Sequence, residues 1–131
     1  MSDPEAKALA REWLCFARAD LAAAELLLDH EEAAPRIVCF HAQQSAEKAL
    51  KALLVAEQIR FERTHDLVAV FELVPDPLRM DVARETLSAL SRWAVEPRYP
   101  GDVPEATVAE AREAVAAARS IVGTAAARLQ V

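Results

Sequence analysis

Arg98 and Tyr99 stand side by side in the segment PRYPGDVP, the one Pro- and Gly-dense stretch of the 131 residues. A guanidinium is a planar cation, a phenol ring is a stacking face, and the N-terminal end of a following helix adds partial positive charge. That combination suits a phosphate or a nucleotide. The competing reading has Arg98 pairing with an interior acid such as Asp20 or Glu47, and Tyr99 packing over the end of the fold. A second set of polar groups recurs at the helical period in residues 40–54: His41, Gln44, Lys48 and Lys51 form a stripe, with Gln43 and Glu47 on its flank. Flanking groups of that kind are half-buried and need partners, and Glu47 is spaced to pair with Lys51 one turn on. Asp20 falls inside the apolar stripe of an earlier helix, where a carboxylate must accept hydrogen bonds from a facing helix or pair with a cation. His65, ahead of Asp66, reads first as a tie between a short helix and the rest of the fold.

Helices must position these groups. Hydrophobic residues make up 53% of the chain, yet aromatics are 5% and there are only two glycines, while Ala, Leu, Glu and Arg recur throughout. The length suits one domain over residues 1–131, burying roughly two thirds of its unfolded surface. A net charge of −6 excludes binding nucleic acid through the overall field, so no DNA partner is expected and any RNA contact must be local. Cys15 and Cys39 lack CxxC spacing and nothing like an export signal precedes them, which predicts buried reduced thiols. Neither a metal site nor a cofactor is expected. Apolar runs are broken well short of a membrane span, and the chain reads as soluble and cytoplasmic.

The expected fold is all-α, an antiparallel up-and-down bundle of four long helices plus one short one. Helix one starts near Pro4 behind Ser2 or Asp3 and runs toward His30, burying Leu9, Trp13, Phe16, Ala17, Ala24 and Leu27. Helix two opens at Pro35, fades around Gln58, and buries Cys39, Ala42, Ala46, Ala49, Leu50 and Leu53. Thr64 caps a short helix burying Leu67, Val70, Phe71 and Val74. Asp76-Pro77 opens the next helix, which buries Leu78, Val82, Leu90 and Trp93 or Ala94 and ends at Pro97. Asp102 and Glu105 have the spacing of a capping box for the last helix. Its seam is Val108, Ala111, Val115, Ala118, Val122, Ala125 and Leu129, fit for the core or for a homodimer contact.

The run QQxxEKxxKALL of Gln43, Gln44, Glu47, Lys48 and Lys51 resembles the signature of the HEPN domain family. Asp20-Leu21 before it, His65-Asp66-Leu67 after it, and Arg98-Tyr99-Pro100 ahead of the last helix extend the resemblance, in order, over nearly the whole chain. It is closest to small prokaryotic members encoded beside a minimal nucleotidyltransferase. The resemblance implies a homodimeric nucleotide- or RNA-binding module, paired with such an enzyme in a toxin-antitoxin-like system. Arg98, Tyr99, Gln44, Lys48, Lys51 and Asp20 would form its ligand surface, with Tyr99 stacking or being modified.

Many members of that family are metal-independent ribonucleases with an Arg followed after four to six residues by a His. There the His moves the proton of a ribose 2′-hydroxyl and the Arg holds the phosphate. Here no His follows Arg98, while Arg36 with His41 and Arg60 with His65 have the spacing in other places. An alternative is therefore a ribonuclease with a degenerate site of Arg98 and His41 or His65. Another is a structural dimerisation domain without a ligand.

Overall fold

The computed structural model describes residues 1–94, 100–102 and 105–131. Among them lie five α-helices and no strand: α1 (Asp3–Leu28), α2 (Pro35–Ala56), α3 (Leu67–Leu73), α4 (Arg84–Ser91) and α5 (Val108–Leu129). Two 3₁₀ turns, Asp76–Leu78 and Arg92–Ala94, flank α4 on either side.

Alanine decides how these helices meet. Ala6, Ala10, Ala17 and Ala24 of α1, Ala42, Ala46, Ala49 and Ala52 of α2, and Ala111, Ala114, Ala118 and Ala125 of α5 are all buried. Side chains that small let helix axes approach closely, and Leu14, Leu50, Leu53, Leu54 and Ile121 fill what space is left. Helix α2 is central and is buried on nearly every side, including at Gln43, Ser45, Glu47 and Lys51. Helix α1 runs antiparallel to it: Gln58, just past the end of α2, donates to Asp3 at the start of α1, 3.1 Å away. Helix α5 is also antiparallel to α1, since Arg119 pairs with Glu25 and Arg18 donates to the Val131 carbonyl.

The helix ends follow from local chemistry. Ser2 accepts from the Glu5 amide at 3.3 Å and Pro4 opens α1. Gln58 stops α2 by turning left-handed (φ 55), which returns the Ile59 amide to the Leu54 carbonyl at 2.9 Å. Asp66, rather than Thr64, caps α3 by accepting from Val68 and Ala69.

Other sequence expectations change as well. The third bundle position is filled by α3 and the eight-residue α4 together, so three helices are long and two are short. Asp76-Pro77 makes only a 3₁₀ turn, because Arg79 folds back and donates to the last carbonyls of α3, at Glu72 and Val74. Leu78 and Val82 are consequently half-buried, while Leu90 and Trp93 are buried as expected. The box that caps α5 is Thr107 with Glu110, five residues beyond Asp102 with Glu105. On α1 the core stripe is rotated toward the alanines and Leu14, leaving Phe16 65% exposed and Cys15 exposed as well. No helix among the described residues is long and apolar enough to cross a membrane.

Candidate functional site

Antiparallel packing of α1 on α2 sets Asp20 against the polar stripe of α2. Lys48 Nζ lies 2.5 Å from Asp20 Oδ2, and His41 Nδ1 lies 3.4 Å from Asp20 Oδ1. His41 and Lys48 are seven residues apart, two turns of one helix, so a single carboxylate on the facing helix reaches both. All three side chains are half-buried: the cluster is a partly wet edge rather than a sealed core pair. Two aromatics frame it. The Phe40 and His41 rings meet edge to face with centroids 5.7 Å apart, and Lys48 Nζ lies 6.0 Å from the centre of the Phe16 ring. Neither aromatic was expected at the site. The signal for Phe16 was its spacing, one turn ahead of Asp20 on α1.

A second cluster is organised by Glu47, on a neighbouring face of α2. Its Oε1 accepts from Gln43 at 3.1 Å and faces His65 Nδ1 at 2.8 Å, while Oε2 accepts from Lys51 at 3.1 Å. Lys51 also donates to the Thr64 carbonyl at 3.2 Å and lies 5.5 Å from the centre of the Phe61 ring. Phe61 in turn packs edge to face on Trp13. Burial alone would raise the Glu47 carboxyl, but hydrogen bonds from His65, Gln43 and Lys51, together with the Lys51 charge, hold it below its ordinary value. Gln44 joins this cluster from its edge, donating to Gln43 Oε1 at 2.7 Å.

The predicted residues therefore fall into two groups. Asp20, His41 and Lys48 come together on the α1 side, with Gln44 on the same α2 face between His41 and Lys48. Lys51 and His65 gather around Glu47, where Lys51 is buried and His65 remains more than half exposed. His65 ties the α3 entrance to α2 while Asp66 supplies the cap. Arg98 and Tyr99 lie outside the described residues.

In each cluster a histidine presents Nδ1 to a carboxylate. In the neutral tautomer that donates Nδ1–H to the carboxylate, Nε2 keeps a lone pair for an incoming donor. Such a histidine can accept a hydrogen bond or take a proton. Cys39 has no comparable potential: burial pushes its thiol up to about 11, with the Glu110 charge adding to the effect.

A groove of about 570 Å³ opens between α4 and α5, floored by Leu90, Trp93 and Ala114 and rimmed by Glu85, Arg92 and Glu113. Of the predicted site residues that are described, none lines it.

Comparison with known proteins adds to this geometry. A model of the HEPN domain matches residues 10–128. No curated protein matches. The chain is similar to the protein TT1696 of Thermus thermophilus, at 30% identity and a TM-score of 0.75, over 91% of this chain and 97% of that one. It also shares its fold with ST0689, an archaeal HEPN homologue, at 24% identity and a TM-score of 0.68, over 92% and 97% of the two chains.

Proposed function

From the premise that this chain belongs to the HEPN domain family, we propose that it is a nucleotide- or RNA-binding module. On this reading it acts as a homodimer and partners a minimal nucleotidyltransferase in a toxin-antitoxin-like system. The observation that carries the binding role is the half-buried group of Asp20, His41 and Lys48 framed by Phe16 and Phe40. A base can stack on an exposed ring there, and Asp20 can accept from a hydroxyl or an exocyclic amine. Lys48 and Gln44 supply donors for a phosphate or sugar. Arg98 and Tyr99 are assigned the phosphate and stacking contacts, with Tyr99 as the residue open to modification, and Lys51 supports the face from within.

The test is fluorescence anisotropy of labelled single-stranded RNA and of a labelled nucleoside triphosphate with the purified protein. Lys48→Ala, Gln44→Ala and Arg98→Ala are each expected to weaken binding about tenfold, the size of one lost charge-assisted hydrogen bond. If the wild-type protein shows no affinity for RNA, for nucleotides or for a co-expressed nucleotidyltransferase, the reading is lost.

A second reading, a metal-independent ribonuclease, is favoured by the two histidine and carboxylate pairs, either of which leaves Nε2 available as a base. It requires RNA cleavage that survives a chelator and disappears in Arg98→Ala together with His41→Ala or His65→Ala.

A further inference from the structure

On α1 the side turned away from α2 and α5 carries Ala8, Glu12, Cys15, Ala19, Ala22 and Leu26, all exposed and recurring in alternating four- and three-residue steps. Surface helices normally place their charges opposite the core. Here Glu12 alone is charged, Leu26 is 75% exposed, and the exposed Phe16 adjoins the stripe. The charges are displaced to one flank and are sorted by sign along it: Lys7, Arg11 and Arg18 come first, then Glu25 and Asp29. An open hollow of about 410 Å³ runs beside the stripe, lined by residues that include Arg18, Ala22 and Leu26.

A helix sorted in this way complements itself when reversed. Set antiparallel about a twofold axis, Leu26 of one copy lies over Ala8 of the other, and Cys15 lies over Ala19. In the same register Arg11 meets Glu25 and Lys7 meets Asp29, each pair occurring twice. Arg18 faces its own counterpart near the axis, where it already donates to the Val131 carbonyl at 3.2 Å. Glu25 holds a surface ion pair with Arg119, which a second arginine can join. In a parallel pair the two charged flanks lie on opposite sides of the seam and do not meet, so only the antiparallel arrangement brings Arg11 to Glu25 and Lys7 to Asp29.

We propose that the outer face of α1 is the surface through which two copies of this chain pair, antiparallel; this deepens the homodimer part of the proposed function and rests on it. On the flank opposite the charges the two Phe16 rings meet near the axis. Because Phe16 lies beside Lys48, both groups of Asp20, His41 and Lys48 then open on the same side of the helix pair, with the aromatic pair between them. Each site gains an aromatic neighbour from the other copy.

The experiment is sedimentation of the full chain, wild type against Ala19→Arg and Leu26→Arg, with helicity checked by circular dichroism and RNA binding measured alongside. The wild type is expected to be a dimer, and each variant to dissociate at least about 30-fold more readily, the size of a hot-spot loss. Ala19→Cys, oxidised beside the native Cys15, is expected to give a disulfide-linked dimer that Cys15→Ser abolishes. Cross-linking that survives Cys15→Ser would overturn the antiparallel register. Dimers unaffected by both arginine variants would overturn the α1 face and leave the homodimer reading standing. A wild type monomeric at its highest soluble concentration would overturn both, whatever its affinity for RNA.

Discussion

Glu47 combines a buried position with the largest set of polar partners described, and its loss should show it. Glu47→Ala leaves Lys51 buried with only the Thr64 carbonyl and a ring face, and is expected to cost about 3–5 kcal/mol in urea unfolding. The pH dependence has a definite sign. Because the folded protein holds the Glu47 carboxyl below its unfolded value, the stability it contributes is fully present above roughly pH 4.3 and fades as pH falls through the folded value. Glu47→Gln should flatten the acid limb of a plot of stability against pH. Lys48→Ala, at a half-exposed pair, is expected to lower stability by about 1 kcal/mol or less, so a larger loss of RNA binding can be assigned to the ligand face. The need of Asp20 for a hydrogen-bonding helix or a cation is legible in its place on the apolar stripe, and α2 supplies both. Lys51 was assigned to the outward stripe, and its turn inward depends on Phe61 and Thr64, which come from a loop whose path no periodicity encodes.

Helices α2 and α5 are legible in the sequence because their apolar residues repeat at the helical period, and Pro35 marks the start of α2; the stop at Gln58 rests on a left-handed turn that only the structure shows. The region from 75 to 94 is not legible, because its continuity turns on a non-local act, Arg79 reaching back to the carbonyls of α3. At the start of α5 the sequence expectation is a box of Asp102 with Glu105, whereas Thr107 with Glu110 caps the helix, with both reciprocal hydrogen bonds. Thr107→Ala should therefore lower the thermal midpoint by an amount equivalent to about 1 kcal/mol. A loss far below that would mean that the first turn of α5 is held by packing instead.

For the molecule as a whole, the two thiols report on different events. Cys15 is exposed on the outer face of α1, whereas Cys39 is fully buried and its thiolate is disfavoured. Brief alkylation of the native protein followed by peptide mass spectrometry should find the label on Cys15 alone, with Cys39 modified only after denaturation. Labelling of Cys15 that slows as protein concentration rises would report pairing through α1. The HEPN match spans residues 10–128, and the two polar clusters draw on α1, α2 and the turn ahead of α3, so no single stretch holds them.

The alanine lining of the core also makes the chain's tolerance to change lopsided. A position already occupied by a methyl group has almost nothing left to lose by truncation, yet each added methylene at Ala17, Ala46, Ala49 or Ala118 has to push two helices apart. Random drift in such a protein meets its steepest barriers at its smallest residues. A library scored for folding should accordingly reject Ala→Val and Ala→Leu at these sites more severely than Leu→Ala at half-buried Leu9 or Leu129.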